Sequence, residues 1–474
     1  MRSRRAAFAC LLTVLVGACT NGGPGPDFPT RSPAASPTSS NTFVIGLVGT
    51  MSGDDEWRGL DAFEGAHLAV HILNRDRTEG EPGYELVTRD DGGDVESATE
   101  AVVELASQPQ TIGIVYAGPP EGLPPTEEVL ADAQVPALIC YGDLYGARLL
   151  SHHIFQMSPS YLWEARRIVA YALGDRRYQR VGAITSRSLT GQTARQALTS
   201  ALSESGRRLI ASEIYPQDGT RVEALLKRLR RERVQAIAVD ASPPEMADTV
   251  RALRAMGATY RTTRTARSPR RPSRGAPLPW RPQLMAFDPG LARTPLSYPE
   301  GTIGADTYGR GAHYLPVPSL RDFRRSFLAW WDELPLGWEQ RAYDAVRLIG
   351  LANAEMQGPE GAADPIEVLE RIRGRRFAGL DITFGPDDHT AVEQTTVGLW
   401  TVPDSVSTDV ERELPEDMPW VPLARGFSID GERTQVLPED WRFLFRNAPR
   451  PNRPAPRIGT QRFGVDTPRR DPVH

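Results

Sequence analysis

Cys19 is the residue whose type and setting point most directly to a reaction, thioether formation with a lipid. It closes the run Leu15-Val16-Gly17-Ala18-Cys19, behind Arg2, Arg4 and Arg5 and an apolar stretch from Ala6 to Val16. Cationic residues, a short apolar segment and small residues before a cut site form the pattern of a secretory leader. The small pair Gly17-Ala18 in front of a cysteine looks like a bacterial lipobox, where the thiol is diacylated and becomes the new N-terminus. Residues 1–19 are therefore expected to be a lipoprotein signal peptide. Cys19 is the expected lipid anchor, tying the rest to the outer face of the bacterial cytoplasmic membrane. The apolar stretch is too short to cross a bilayer as a helix.

The other reactive residue types fall into less demanding roles. Histidines stand at 67, 71, 152, 153, 313, 389 and 474. His67 and His71 share a helix face, but no Glu follows His67 and no third ligand is evident, so they read as ordinary helix histidines. Ser188-Leu189-Thr190-Gly191 is not a nucleophile elbow, and Asp240-Ala241-Ser242 has no identified histidine partner. Gly49, Ser52 and Gly53 are too sparse for a phosphate or dinucleotide loop. Asp90, Asp91 and Asp94 read as a turn and a helix cap. No catalytic residue, metal or cofactor is expected, and the chain reads as a non-enzyme.

Composition narrows the class further. Loss of the leader takes Arg2, Arg4 and Arg5 with it and moves the formal charge from -5 to about -8, which argues against nucleic-acid binding. Cys10 leaves as well, so only Cys19 and Cys140 remain, and neither an intramolecular disulfide nor a cysteine-rich metal site can form. The remaining length, about 455 residues, exceeds what one hydrophobic core usually organises and predicts two lobes. Residues 20–41, mostly Gly, Pro, Ser, Thr and Asn, read as a flexible linker.

The elements that must position any site begin at Thr42. Phe43 to Val48 is a buried strand, and Leu60 to Asn74 a helix with Ala62, Ala66, Ala69, Val70 and Leu73 on one face. Strands at Tyr84–Thr88, Thr111–Val115 and Val135–Leu138 alternate with helices at Val95–Ala106 and Thr126–Ala133. The pattern restarts with a crossing strand at Ile154–Met157. Strands at Arg180–Thr185, Leu209–Tyr215, Ala236–Val239 and Leu284–Phe287 then alternate with helices. Later come helices at Leu320–Trp331, Glu339–Glu355 and Ile366–Ile372 and strands at Ile382–Phe384 and Thr396–Thr401. Strand–helix alternation with short connections predicts an α/β fold with parallel sheets covered on both faces, and two such sheets imply a cleft between them. Residues 261–281 hold many arginines and prolines without apolar periodicity and read as an exposed insertion. Residues 446–474 read as a disordered tail.

In its details the chain resembles type I periplasmic binding proteins, in particular the branched-chain amino-acid or amide-binding lipoproteins that feed ABC importers. Ile45-Gly46-Leu47-Val48, Ser52-Gly53, Gly59, Gly65-Ala66, Ala69-Val70 and Asn74 look like that family's first strand, ligand loop and helix. Leu86-Val87, Asp90-Asp91, Asp94 and Ala98 resemble its second unit, and Pro136 precedes its fourth strand. Tyr343-Asp344-Ala345-Val346 with Leu348 and Ala352, and Phe377-Ala378-Gly379 with Ile382-Thr383-Phe384 and Asp387, resemble later motifs. The resemblance covers residues 42–400. It implies two Rossmann-like lobes joined by a three-crossing hinge that closes on a small polar solute. The expected division is 42–152 with 297–375 as the first lobe and 153–296 with 376–445 as the second.

Carried over by position, the site residues are Ser52, Trp57, Glu121, Cys140, Tyr141, Asp143 and Thr190. Ser52 offers a hydroxyl and Trp57 an apolar cover, while Tyr343 and Asp344 are mainly structural. The family's hydroxyl-rich loop after the third strand is Gly118-Pro119-Pro120-Glu121-Gly122 here, and proline brings no donor. Its aromatic-glycine pair in the second lobe is Thr190-Gly191. The clamp for an α-carboxylate is thus altered, and Glu121 and Asp143 are candidate acceptors for a cationic, amide or polyol ligand. Implied partners are ABC permease subunits or a membrane sensor, and the membrane itself through the lipid. A competing expectation is a sensing or protein-interaction lipoprotein that keeps the fold without transport.

Overall fold

A strand buried on both faces needs cover on both, and the first strand sets that requirement. In the computed structural model, β1 (Thr42–Gly49) buries its last six residues. The structure describes residues 42–401 except 54, 145–150, 217–221, 242, 257–279, 288–302, 307–317, 333–334, 336–337, 358–363, 379–380 and 393–396, together with 421–422, 427–429 and 432–434. The leader, Cys19, the linker, the tail and nearly all of the 261–281 insertion lie outside the described residues.

After β1 come α1 (Trp57–Asp76), β2 (Gly83–Asp90), α2 (Val95–Ala106), β3 (Thr111–Ala117), α3 (Glu127–Ala133), β4 (Ala137–Ile139) and β5 (Ile154–Gln156). These five strands form one sheet in the order β2-β1-β3-β4-β5. Every pair is parallel, with Ile45 opposite both Leu86 and Gly113. Asp94 caps α2 by accepting from Ser97 N at 2.8 Å, as the sequence predicts.

The second half continues with α4 (Tyr161–Ala170), β6 (Val181–Thr185), α5 (Leu189–Glu204), β7 (Ala211–Ile214), α6 (Val222–Arg231), β8 (Ala236–Asp240), α7 (Pro243–Ala255), β9 (Gln283–Ala286) and β10 (Ile303–Asp306). Helices α8 (Pro318–Trp331), α9 (Glu339–Met356) and α10 (Pro365–Glu370) follow, then β11 (Gly398–Thr401) and β12 (Val421–Pro422). The second sheet runs β12-β11-β10-β9-β8-β6-β7. Its parallel part, β7-β6-β8-β9-β10, repeats the strand order of the first sheet, and β11 and β12 join it antiparallel.

Strand pairing and bridges move all three of the expected lobe boundaries. β5 pairs with β4 and so completes the first sheet, although residues 153–296 were expected in the second lobe. β10 pairs with β9 and β11 in the second sheet, although 297–375 was expected in the first. Residues Ile382–Phe384 form no strand: Ile382 makes an isolated bridge with Arg375, and Thr390 bridges Gln156 at the edge of the first sheet. The chain therefore passes between sheets after β5, between β10 and α8, and between Val392 and Val397. Asp344 Oδ1 accepts from Ala378 N at 2.8 Å and ties this returning segment to α9.

Helices α1 and α9 approach closely because small residues lie between them. A Cβ on Gly65 would stand 1.9 Å from Glu339 O, and one on Gly350 would stand 2.8 Å from Leu73 Cδ1. Their contact brings Trp338, at the head of α9, against Trp57, at the head of α1. Among the described residues, no helix is long and apolar enough to cross a membrane.

Candidate functional site

Open parallel sheets bind ligands beyond the carboxyl ends of the strands where the strand order reverses. Here that point falls between β1 and β3 in the first lobe and between β6 and β8 in the second. The residues just past those strands are Thr50 and Gly118 on one side and Ser186 and Ala241 on the other.

The first lobe presents an aromatic wall with a guanidinium set in it. Trp57 and Arg58 open α1, Tyr141 follows β4, and Trp338 precedes α9. Trp338 stands edge-on to Trp57 and to Tyr141, with ring centroids 5.3 Å apart in each case. The Arg58 guanidinium lies 4.7 Å from the Tyr141 ring centroid and 5.3 Å from that of Trp57. Its Nη1 donates to Tyr141 Oη at 3.2 Å, and its Nη2 is 3.4 Å from Asp55 Oδ2. The Arg58 side chain is 18% exposed. Arg341 sits behind Trp338, 5.0 Å from its ring, and donates to Cys140 O at 3.2 Å.

Burial works against the Arg58 charge, but Tyr141 and Asp55 outweigh it and raise the guanidinium's pKa. Burial pushes the Tyr141 hydroxyl up to about 12 against the pull of Arg58, so it is a neutral phenol at physiological pH. Two adjacent donors, Trp57 Nε1 and Arg58 Nε, are buried without a hydrogen-bond partner. Buried polar groups are normally paired, so this is where the wall asks for an acceptor.

The second lobe presents hydroxyls. Ser186 Oγ donates to Asp240 Oδ2 at 2.7 Å and contacts Ser188 Oγ at 2.7 Å, which contacts Thr190 Oγ1 at 2.6 Å. Ser188 also caps α5 through Gly191 N at 3.3 Å. Burial raises the Asp240 pKa, opposed by its two bonds from Ser186.

The two lobes use the same local construction. Gly59 is the third residue of α1, and Gly191 the third of α5. A Cβ on Gly59 would stand 2.4 Å from Thr50 O, and one on Gly191 would stand 2.2 Å from Ser186 O. Glycine is required in both because the helix start presses on the first carbonyl after the strand. Trp57-Arg58 therefore corresponds in place to Leu189-Thr190.

The lobes meet at the loop after β3. Glu121 Oε1 accepts from Leu189 N at 2.6 Å, placing a carboxylate on the N-terminus of α5. Thr190 Cγ2 lies 3.4 Å from where a Cβ of Gly142 would stand.

The expected site residues divide accordingly. Trp57 and Tyr141 form the aromatic wall, and Thr190 ends the hydroxyl chain. Ser52 is exposed at the rim and hydrogen-bonds Asp90. Glu121 is engaged by the other lobe through Oε1. Cys140 and Asp143 require correction. Cys140 is 1% exposed within the hydrophobic core, and burial pushes its thiol up to about 12. Asp143 is buried and accepts from Tyr161 N at 2.7 Å and Ser160 Oγ at 3.3 Å, so it holds the start of α4. Tyr141 is as buried as Cys140 and differs in presenting its hydroxyl to Arg58.

Arg58, Trp338 and the Asp240–Ser186 pair were not anticipated. Arg58 had a signal, since it adjoins Trp57 at the head of the ligand-loop helix. Trp338 had none, because α9 reaches the site only through its packing on α1. Behind the wall Asp61, Glu64 and Glu339 bring carboxylate oxygens within 4.8 Å of one another, and each has further partners.

Comparison with known proteins agrees with this geometry. The periplasmic binding protein family matches residues 42–402. A periplasmic binding protein type 1 from Bordetella pertussis Tohama I superposes with a TM-score of 0.65 at 17% identity, over 81% of this chain and all of that one. The branched-chain amino acid transporter substrate binding protein of Streptococcus pneumoniae in complex with isoleucine gives 0.61 at 16%, over 77% of this chain and 96% of that one. A solute binding protein of an ABC transporter from Rhodopseudomonas palustris BisB5, in complex with 3,4-dihydroxybenzoic acid, gives 0.62 at 15%, over 82% and 99%. At these identities the likeness is one of fold. No curated protein matches the chain.

Proposed function

The chain belongs to the periplasmic binding protein family, and from that premise we propose that it is a lipid-anchored extracytoplasmic receptor for a small polar solute. It delivers that solute to an ABC importer. The observation that carries this reading is the pair of facing walls at the two strand-order reversals. Trp57, Arg58, Tyr141 and Trp338 stand on one lobe, and Ser186, Ser188 and Thr190 on the other. The solute settles first on the aromatic wall, the second lobe closes over it, and the permease reads the closed shape. The Glu121–Leu189 contact is a bond that only approached lobes can make, and it stabilises the closed form. The ligands named for the two fold neighbours, isoleucine and 3,4-dihydroxybenzoic acid, are both small organic acids.

The lipid anchor rests on Gly17-Ala18-Cys19 and is tested by labelling cells with an alkyne fatty acid. Wild type should incorporate the label and Cys19→Ala should not. The receptor reading is tested by thermal shift of the soluble protein from Thr42 onward, against amino acids, organic acids, amides, polyamines and sugars. One class should raise the melting temperature in a dose-dependent way, as binding to the native state alone requires. No response from any class, with a membrane protein other than a permease captured in cells, would replace this reading by the sensing or interaction role.

A further inference from the structure

We propose that the ligand is a small carboxylate lacking an α-ammonium group, received by Arg58 and Trp57 against the rings of Tyr141 and Trp338. This rests on the receptor reading and narrows its ligand class. The first argument is donor surplus. Arg58 Nε and Trp57 Nε1 are buried without acceptors on consecutive residues of one helix turn. An anion that meets both satisfies two otherwise costly groups, and a bond between charged partners is about twice as strong as a neutral one.

The second argument is the state of Asp55. Its carboxylate is 3.4 Å from Arg58 Nη2, a longer contact than the 2.6–2.8 Å pairs Arg89–Glu104, Arg166–Glu204 and Arg228–Glu213 elsewhere in the chain. Asp55 is a loosely held counter-ion that a ligand carboxylate can displace. The third argument is the neighbouring acids, which would have to hold an ammonium. Asp143 is taken by Tyr161 N and Ser160 Oγ, and Asp240 by Ser186. Glu121 Oε1 is taken by Leu189 N. Asp91 Oδ1 is taken by Thr50 Oγ1 and Gly93 N. Its Oδ2 is buried without a hydrogen-bond partner beneath the loop after β3, 2.3 Å from where a Cβ of Gly118 would stand, and burial raises the Asp91 pKa. Among the described acids here, Asp55 is held by Arg58 itself and Asp91 lies beneath the loop after β3, so the guanidinium and aromatic faces suit an oxo-acid or an aromatic acid over a zwitterion.

Calorimetric titration with shape-matched probes tests this. Benzoate, benzamide and benzylamine share a ring and differ in charge, while 4-methyl-2-oxopentanoate and leucine differ at the α-position. The two carboxylates lacking an ammonium should bind at least ~tenfold tighter than their partners. Arg58→Gln should weaken the better of them by ~tenfold or more, and Arg58→Lys by less, because lysine keeps the charge without the fork. Asp55→Asn, a change at a partly exposed residue, should tighten it. Circular dichroism checks that each variant is folded. Leucine, benzamide or benzylamine binding as well as its matched acid, or an unchanged affinity in Arg58→Gln, overturns the ligand class and leaves the receptor reading standing. Silence of both acids in wild type and in Asp55→Asn, while another solute stabilises the protein, does the same. Silence to every solute overturns both.

Discussion

The heads of α1 and α5 are built alike and carry different chemistry. Each helix starts a few residues after its strand, and each has a glycine in third place against the first carbonyl beyond that strand, Thr50 O or Ser186 O. At the two positions before that glycine the first lobe has Trp57-Arg58 and the second has Leu189-Thr190. The first pair leaves two buried donors without partners. The second is internally satisfied, with Thr190 in a hydroxyl chain that leads to Asp240 and Leu189 N bonded to Glu121. In the proposed function the first wall receives the ligand and the second closes over it, so a repeated backbone frame would divide these tasks between copies.

Four measurements test whether the two helix heads differ in this way. The largest effect is expected from Trp338→Ala, which removes the ring that both Trp57 and Tyr141 pack against. Urea unfolding should show a loss of about 3–5 kcal/mol. A loss well under 1 kcal/mol would mean that the wall is not a packed unit. Gly59→Ala and Gly191→Ala come next, each expected to destabilise by about 1–3 kcal/mol because the new methyl meets backbone. Equivalence of the two lobes requires similar losses, and a harmless change at either site would break it.

Glu121→Ala is expected to cost less, about 0.5–1.5 kcal/mol, and to act mainly on lobe closure. Its radius of gyration in solution scattering should exceed that of wild type without ligand, and an unchanged value would remove Glu121 from the latch. The smallest effect is a pH dependence. Burial raises the Asp240 pKa above its ordinary 3.8. The stability contributed by its protonated form is present below that value and is lost as pH rises through the folded pKa. Asp240→Asn should therefore flatten the fall in stability above pH 3.8, as read by urea melts at a series of pH values. A curve parallel to that of wild type would show that Asp240 does not titrate as described.

Much of the fold was legible because its signals are local. The buried run of β1, the alanine face of α1 and the cap at Asp94 all follow from residues within a few positions of one another. The short strands β5 and β10 were harder, since three or four apolar residues do not say which sheet they will join. Residues Ile382–Phe384 read as a strand for their apolar character, yet Ile382 makes only an isolated bridge with Arg375, and Phe384 packs against Phe155 of the first sheet. Within the site, Trp57, Tyr141 and Thr190 were named through the family resemblance, position by position. Cys140 and Asp143 could not be separated from them, because what each side chain meets, the core for Cys140 and the start of α4 for Asp143, is set by residues distant in the chain.

The strand–helix alternation and the two-lobed plan followed from the amino-acid order alone, because they depend on periodicity and length. Which polar groups are left without a partner was settled by the tertiary fold. Pairing depends on atoms distant in the chain: Tyr161 takes up Asp143, Leu189 takes up Glu121, and Ser186 takes up Asp240. Arg58 and Trp57 keep unpartnered donors because no such neighbour reaches them.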